Sequence, residues 1–351
     1  MNLIKDLVLK FIFNFGIYSL FHFINRKKIT ILYAHSIVQS NKINLASWQP
    51  LRVLHNSDDL TSTLKVLNTK YQFISLSTAI KILKKEIQPI NNALVVTLDD
   101  GYLNNIEVAS PIFSHFNISP TIFVSSEHTE KNIPFWFDRL DYALQQIKES
   151  SFSTQILQKA FLFNCSSREN LIKSYADFRK QIKSSFNDDK AMRNYLDKLA
   201  LEIESHTGKS LLQITQQDIY TSLASWDELK LAQQKLNYEI GSHTINHARL
   251  GLLNEKEITH ELSQSKQIIE NKLSSPCTTF CYPDNSYNVL SKVLTKIHYQ
   301  SALTTDPELN KIGDNIMHLK RLNLPSDKNP LKILFKISAL RLALQNKNQG
   351  N

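Results

Sequence analysis

Glycine is scarce in this chain, with 7 in 351 residues. That scarcity argues against a Gly-rich phosphate loop and against an array of domains on flexible Gly linkers. Cysteine is scarcer still. Cys165, Cys277 and Cys281 are three, so they cannot all pair within the chain, and Cys277 and Cys281 lack the second CxxC that would complete a structural zinc site. They read as small buried hydrophobes, a usage that suits a reducing compartment. No compact Lys/Arg cluster interleaved with aromatics occurs, which excludes nucleic acid as the partner, and no repeat of fixed period is present. What the chain does have is globular composition, 42% hydrophobic and 21% charged, which rules out a disordered, collagenous or polytopic membrane protein. Its net charge of +9, from 41 Lys+Arg against 32 Asp+Glu, asks for an anionic neighbour such as a membrane face or an acidic glycan.

Residues 7 to 24, LVLKFIFNFGIYSLFHFI, are apolar apart from Lys10, Asn14, Ser19 and His22, and Arg26-Lys27-Lys28 follow. Asp6 and the lack of an A-x-A site weaken a cleaved signal. A helix in the membrane interface, a true span and a packed terminal helix all fit; the internal polar residues favour the interface. Residues 1–28 therefore form an N-terminal segment. From Ile29 the pattern is α/β, with strands expected near Ile29–Tyr33, Leu94–Leu98, Thr121–Val124, Tyr238–Ile240, Thr279–Cys281 and Ser301–Leu303, and an amphipathic helix over Asp58–Leu67. Residues 138–235, rich in Lys, Gln, Glu and Leu, read as a helical insertion. Residues 326–351 read as a basic amphipathic helix and tail carrying Lys332, Lys336 and Arg341.

Two constellations carry chemistry. In T-L-D-D-G-Y (residues 97–102) two adjacent carboxylates, Asp99 and Asp100, stand at the C-terminal end of a buried strand. Their repulsion and desolvation need compensation, by a metal ion or a catalytic role, unless one is simply an N-cap opening a turn. In E-I-G-S-H-T-I-N-H (residues 239–247) His243 and His247 lie four apart, on one face if the segment is helical, the spacing that brings two imidazoles to one cation. A chance pair among 11 histidines would look the same, but a strand-like run leading straight into the pair suits an active-site loop. One carboxylate and two imidazoles make the His-His-Asp set of a catalytic divalent metal, and the second aspartate is then placed to take a proton from the metal's water.

These segments resemble the first two motifs of the polysaccharide deacetylases, the NodB-homology group of carbohydrate esterase family four. F-C-Y-P-D-N-S-Y-N (residues 280–288) resembles their third motif, and L-Y-A-H (residues 32–35) their L-x-x-H motif, placed ahead of the Asp-Asp motif as in the circularly permuted members. F-W-F-D-R-L (135–140) and S-W-D-E-L (225–229) add to the likeness, which spans residues 29–325 without most of the insertion. The resemblance implies an α/β fold, a distorted (β/α) barrel of about seven strands with the helical insertion and terminal helices. It implies a hydrolase that removes N-acetyl, less often O-acetyl, from an N-acetylhexosamine of a polysaccharide, oligosaccharide or glycolipid, or else an inactive glycan-binding protein of that fold. Asp99 would be the general base and His35 the general acid. Asp100, His243 and His247 would hold a divalent metal, zinc first, with cobalt, nickel or manganese as alternatives. Tyr282, Pro283 and Asp284 would line the oxyanion and substrate site, and Arg321 would orient Asp99. Where relatives carry Tyr-Gly after the proline, this chain has Asp284-Asn285, a charge near the reacting carbonyl. A lipid-linked sugar and an anionic membrane surface are the expected partners, at the cell envelope or on a cytoplasm-facing membrane.

Overall fold

The protein is described here by a computed structural model covering residues 2–52 and 54–349. Its strands are β1 (Thr30–Ala34), β2 (Ile37–Val38), β3 (His55–Asn56), β4 (Gln72–Phe73), β5 (Ala93–Leu98), β6 (Thr121–Val124), β7 (Ser151–Ile156), β8 (Lys159–Asn164), β9 (Glu239–Ser242), β10 (Thr279–Cys281), β11 (Ser301–Leu303) and β12 (Leu322–Asn323). The run A-L-V-V-T-L of β5 is buried at every position, as a strand covered on both faces requires. A parallel sheet builds outward from it in the order β11-β10-β9-β6-β5-β1-β12, with β4 beside the start of β5. Thr30 to Ala34 pair in step with Leu94 to Leu98.

The sheet curls until its ends meet. Leu319 bridges Leu303 of β11, the Thr304 N–H donates to the Leu319 carbonyl, and three residues later Leu322 pairs with Leu32 of β1. One continuous stretch thus joins both edges, and the result is a distorted (β/α) barrel of seven strands. Several helices around it start on side-chain caps. Asn56 accepts from the Asp58 and Asp59 N–H groups to open Ser57–Leu67, whose Leu60, Leu64 and Leu67 face the core at helical spacing. Asn254 with Glu257 makes a capping box for Glu255–Leu273. At Gly241 a β-carbon would stand 2.5 Å from the Phe123 ring, so glycine is what lets β9 lie against β6.

The insertion differs from its expected all-helical form. Helices Trp136–Gln145, Arg168–Ser185 and Asp189–Thr207 are present, but β7 and β8 form an antiparallel hairpin between the first two. Its residues alternate inward and outward with period two, and Leu157 takes the left-handed conformation at the turn. Hairpin and helices share a core of their own around Phe163, Phe178, Met192 and Leu196.

The N-terminal segment is not one helix. It breaks at Phe15-Gly16, where Gly16 is left-handed, into Asn2–Asn14 and Ile17–Ile24, bent by 64°. Among the described residues no single helix is long and apolar enough to cross a membrane; this bent pair meets the test only when joined. Tyr18 anchors it inward, stacked on Phe13 and His22. The C-terminal segment likewise divides into Pro330–Lys336 and Ala339–Gln349, and Gly350 and Asn351 of the expected tail lie outside the described residues. Its cations are not the free basic face that the sequence suggests. Lys332 pairs with Asp6 at 2.8 Å, Lys336 with Asp327 at 3.1 Å, and Arg341 donates to the Lys336 carbonyl.

Candidate active site

The C-terminal ends of β1, β5, β9 and β10 converge on a cavity of about 420 Å³, within the ~300–1,000 Å³ range of small-ligand pockets. That rim is where ligands bind in parallel barrels. Asp99 closes the β5 ladder through its N–H to the Ala34 carbonyl, and the chain then turns sharply, because Asp100 and Gly101 are both left-handed, at φ 77° and 78°. The turn leaves both carboxylates buried at the cavity floor.

Arg321 explains how Asp99 survives there. Its guanidinium is fully buried and grips Asp99 with two bonds of 2.8 Å. The remaining donors reach the Thr304 carbonyl, Thr97 Oγ1 and Cys281 Sγ. Burial alone would raise the Asp99 pKa, but the Arg321 charge and its hydrogen bonds hold the carboxyl well below the usual carboxylate range. Asp100 has no such partner. Burial first and the Asp99 charge second push its pKa up to about 7, with Arg52 opposing.

His243 and His247 do not sit on a helix. They follow β9 on a loop in which Thr244 and His247 are left-handed. Glu261, buried on the helix behind, accepts from the Ile245 and Asn246 N–H groups, and Thr244 Oγ1 accepts from the Ala248 N–H. A fixed loop thus does what a helical turn would have done. His243 Nδ1 lies 2.8 Å from the Cys281 carbonyl, which needs a proton on that nitrogen and leaves the Nε2 lone pair free. Burial lowers the pKa of both imidazoles and keeps them neutral.

Asp100 Oδ1 lies 3.8 Å from His243 Nε2 and 3.5 Å from His247 Nε2. Three donors around one tetrahedral ion, each at ~2.0–2.2 Å from it, stand ~3.3–3.6 Å apart. Asp100 Oδ1 is buried with no hydrogen-bond partner, the orphaned acceptor that a cation would satisfy. The residues therefore fit a divalent metal. Asp99, His243 and Cys281 also lie close together, but Asp99 is spent on Arg321 and burial pushes the Cys281 thiol up, so that grouping is the poorer cradle.

His35 stands on the rim after β1, its outer side exposed to solvent and its inner side on the cavity beside Tyr33. The surrounding walls withdraw water and push its pKa down to about 4, with Asp99 opposing and Arg52 and Arg321 adding to the fall. Tyr282, Pro283 and Asp284 follow β10. The Tyr282 N–H donates to the Leu303 carbonyl and Pro283 has none, so the first N–H beyond the proline is that of Asp284, at φ 53°. The Asp284 carboxylate pairs with Lys183 at 2.5 Å. Burial opposes its ionisation, yet the Lys183 charge and hydrogen bond bring its pKa down to about 2.

The cavity also contains Arg52, Phe137, Arg179, Asn285, Thr305 and Asn323. Asp138, within F-W-F-D-R-L, accepts from the Tyr102 hydroxyl and pairs with Arg52, which accounts for that segment's place beside the site. Arg179 and Lys183, four apart on the insertion helix, had a spacing signal but nothing in sequence to say which way they face.

A sequence model described as polysaccharide deacetylase matches residues 87–302. The chain belongs to the polysaccharide deacetylase family. The family member is similar in structure to the Streptococcus pyogenes deacetylase PplD in complex with acetate, with 16% identity, TM-score 0.56, and coverage of 88% of this chain and 98% of that one. It is also similar to IcaB from Ammonifex degensii, with 13% identity, TM-score 0.53, and coverage of 88% and 97%. At these identities the likeness is one of fold. The Bacillus subtilis (strain 168) protein YxkH is 33% identical over 79 residues, 22% of this chain, and the match spans 28% of that relative's length.

Proposed function

We propose that this family member is a metal-dependent deacetylase that hydrolyses the acetamido group of an N-acetylhexosamine in a glycan. The observation that carries the reading is an ionised, arginine-clamped Asp99 beside an unsatisfied Asp100-His243-His247 cradle on one cavity floor. A zinc ion there, or cobalt, nickel or manganese, would supply Lewis acidity to the acetyl carbonyl and to water. Asp99, kept as carboxylate by Arg321, accepts the proton of the attacking water as its oxygen bonds to the acetyl carbon. The backbone N–H of Asp284 is the candidate donor to the carbonyl oxygen. His35 donates a proton to the sugar nitrogen as the C–N bond breaks, giving acetate and a free amine. With a pKa near 4 its protonated form is a strong donor but a minor one at neutral pH. The test is acetate release from N-acetyl and O-acetyl sugars, with and without chelator. Chelator-sensitive release from the N-acetyl sugars is expected. Release from O-acetyl sugars alone would make the protein an esterase, and none from any would leave a glycan-binding protein.

A second reading concerns location, on a membrane at the cell envelope or facing the cytoplasm. The N-terminal helix pair leaves Phe15 71%, Ile24 66% and Phe23 60% exposed, beside Lys10, Arg26 and Lys27. Apolar side chains flanked by cations suit a helix pair lying in an anionic interface. Arg26 meets the barrel at the start of β5, through the Asn92 N–H, so the pair joins at the rim opposite the cavity. This supports a membrane-held enzyme more than one working on sugars at the headgroups beneath it. The full chain should sediment with phosphatidylserine vesicles at physiological salt, and Phe15→Asn with Phe23→Asn should release it. A full chain that stays in the supernatant would end the idea.

A further inference from the structure

The charges around the cavity pair off with two exceptions, Asp100 and Arg179. Arg321 neutralises Asp99, Lys183 neutralises Asp284, and Arg52 neutralises Asp138. Asp100 faces two neutral imidazoles and the place a cation would take. Arg179 lines the same cavity from the insertion helix Arg168–Ser185; it makes no salt bridge among the described residues, and the one cavity carboxylate that feels its charge, Asp284, is held by Lys183. Its Nε is buried without a hydrogen-bond partner. The rings of Phe137 and Tyr175, 5.7 and 5.9 Å from its guanidinium, hold it in place. A planar, always-charged fork in a walled site with a spare donor is built to take an oxyanion bidentately. Neutral hydroxyls would use its donors but not its charge, so the group that fits it best is an anion brought by the ligand.

We propose that Arg179 receives an anionic group, a carboxylate or a phosphate, on or next to the acetamido sugar, so that the substrate is an acidic glycan rather than a neutral one. This rests on the deacetylase reading above. The insertion is then the specificity element, since it carries Arg179 to a site otherwise built by the barrel.

Three sugars of one ring size test it: N-acetylglucosamine, N-acetylmuramic acid for the carboxylate and N-acetylglucosamine 1-phosphate for the phosphate. A hydrogen-bonded charge pair contributes roughly 1.5–3 kcal/mol, so kcat/KM for one of the acidic sugars should exceed that of the neutral one by about 10- to 100-fold. Which acidic sugar wins identifies the group. Arg179→Gln should remove that preference while lowering turnover of N-acetylglucosamine only a few-fold, and Arg179→Lys should restore part of it. A preference that survives Arg179→Gln, or an equal loss on all three sugars, overturns the proposal. If no sugar releases acetate, the deacetylase reading fails on its own, and calorimetric binding of the same sugars to wild type and Arg179→Gln still decides. Tighter binding of an acidic sugar that depends on Arg179 supports the proposal. Equal binding of acidic and neutral sugars, or none of the acidic ones, overturns it.

Discussion

Zinc should raise the unfolding midpoint of the wild-type protein and leave that of Asp100→Ala where it was, and chelation should take acetate release to the detection limit without unfolding the chain. The physical reason is that the cradle is assembled at a cost. Asp100 is buried with an unsatisfied oxygen beside the like charge of Asp99, and two imidazoles are held neutral and dry at the same spot. A cation meets all three donors at once. Binding only to the folded state adds about 2.7 kcal/mol at a concentration of 100 times Kd. Asp100→Ala removes both the repulsion and the ligand, so its metal-free stability should equal or exceed that of wild type while its turnover falls below detection. Fold retention follows from the hydrophobic barrel interior, which contains none of these groups. Calorimetric scans with and without zinc check this. An equal zinc shift in Asp100→Ala would place the ion elsewhere, and a wild type that melts on chelation would make the site structural.

The sequence showed the groups that stand on strand ends and hid those that arrive from elsewhere. Asp99, Asp100, His243 and His247 were legible because a buried strand that runs straight into titratable side chains is costly unless those side chains meet a ligand or a reaction. Of the two forms the sequence allowed for His243 and His247, a helical face or an active-site loop, the structure has the loop; the spacing is kept by the Glu261 and Thr244 hydrogen bonds, and a side chain capping a loop from another helix leaves no local pattern. Leu322–Asn323 closes the barrel with two residues, too short for any periodicity to show. The hairpin at residues 151–164 was masked by the polar composition around it, although its own alternation is present. Arg52 and Arg179 were invisible as site residues. Each is an ordinary surface cation in sequence, and only the fold brings Arg52 to Asp138 and Tyr102, and Arg179 to Phe137 and Tyr175, at the cavity.

Arg321→Met should destabilise the protein by about 3–5 kcal/mol and Asp99→Asn alone should also cost stability, whereas the double variant should recover most of either loss. A buried ion pair contributes little net stability over an apolar replacement, but removing one partner strands the other's charge in a dry site. Here the stranding would be severe, since Arg321 is fully buried and its fork meets both oxygens of Asp99. In Asp99→Asn the guanidinium is left with neutral acceptors only, Thr97 Oγ1, the Thr304 carbonyl and Cys281 Sγ. In Arg321→Met the carboxyl has lost the group that kept it ionised. The double variant has no buried charge to strand, so urea denaturation should show a coupling of a few kcal/mol in the cycle. Activity behaves differently. Asp99→Asn should lower kcat by about 10²–10⁴, and the double variant should regain stability but none of that rate, because the proton acceptor is gone in both. Single variants that cost under ~1 kcal/mol, or that add without coupling, would show that the pair is open to water. A double variant regaining activity would show that Asp99 is not the base.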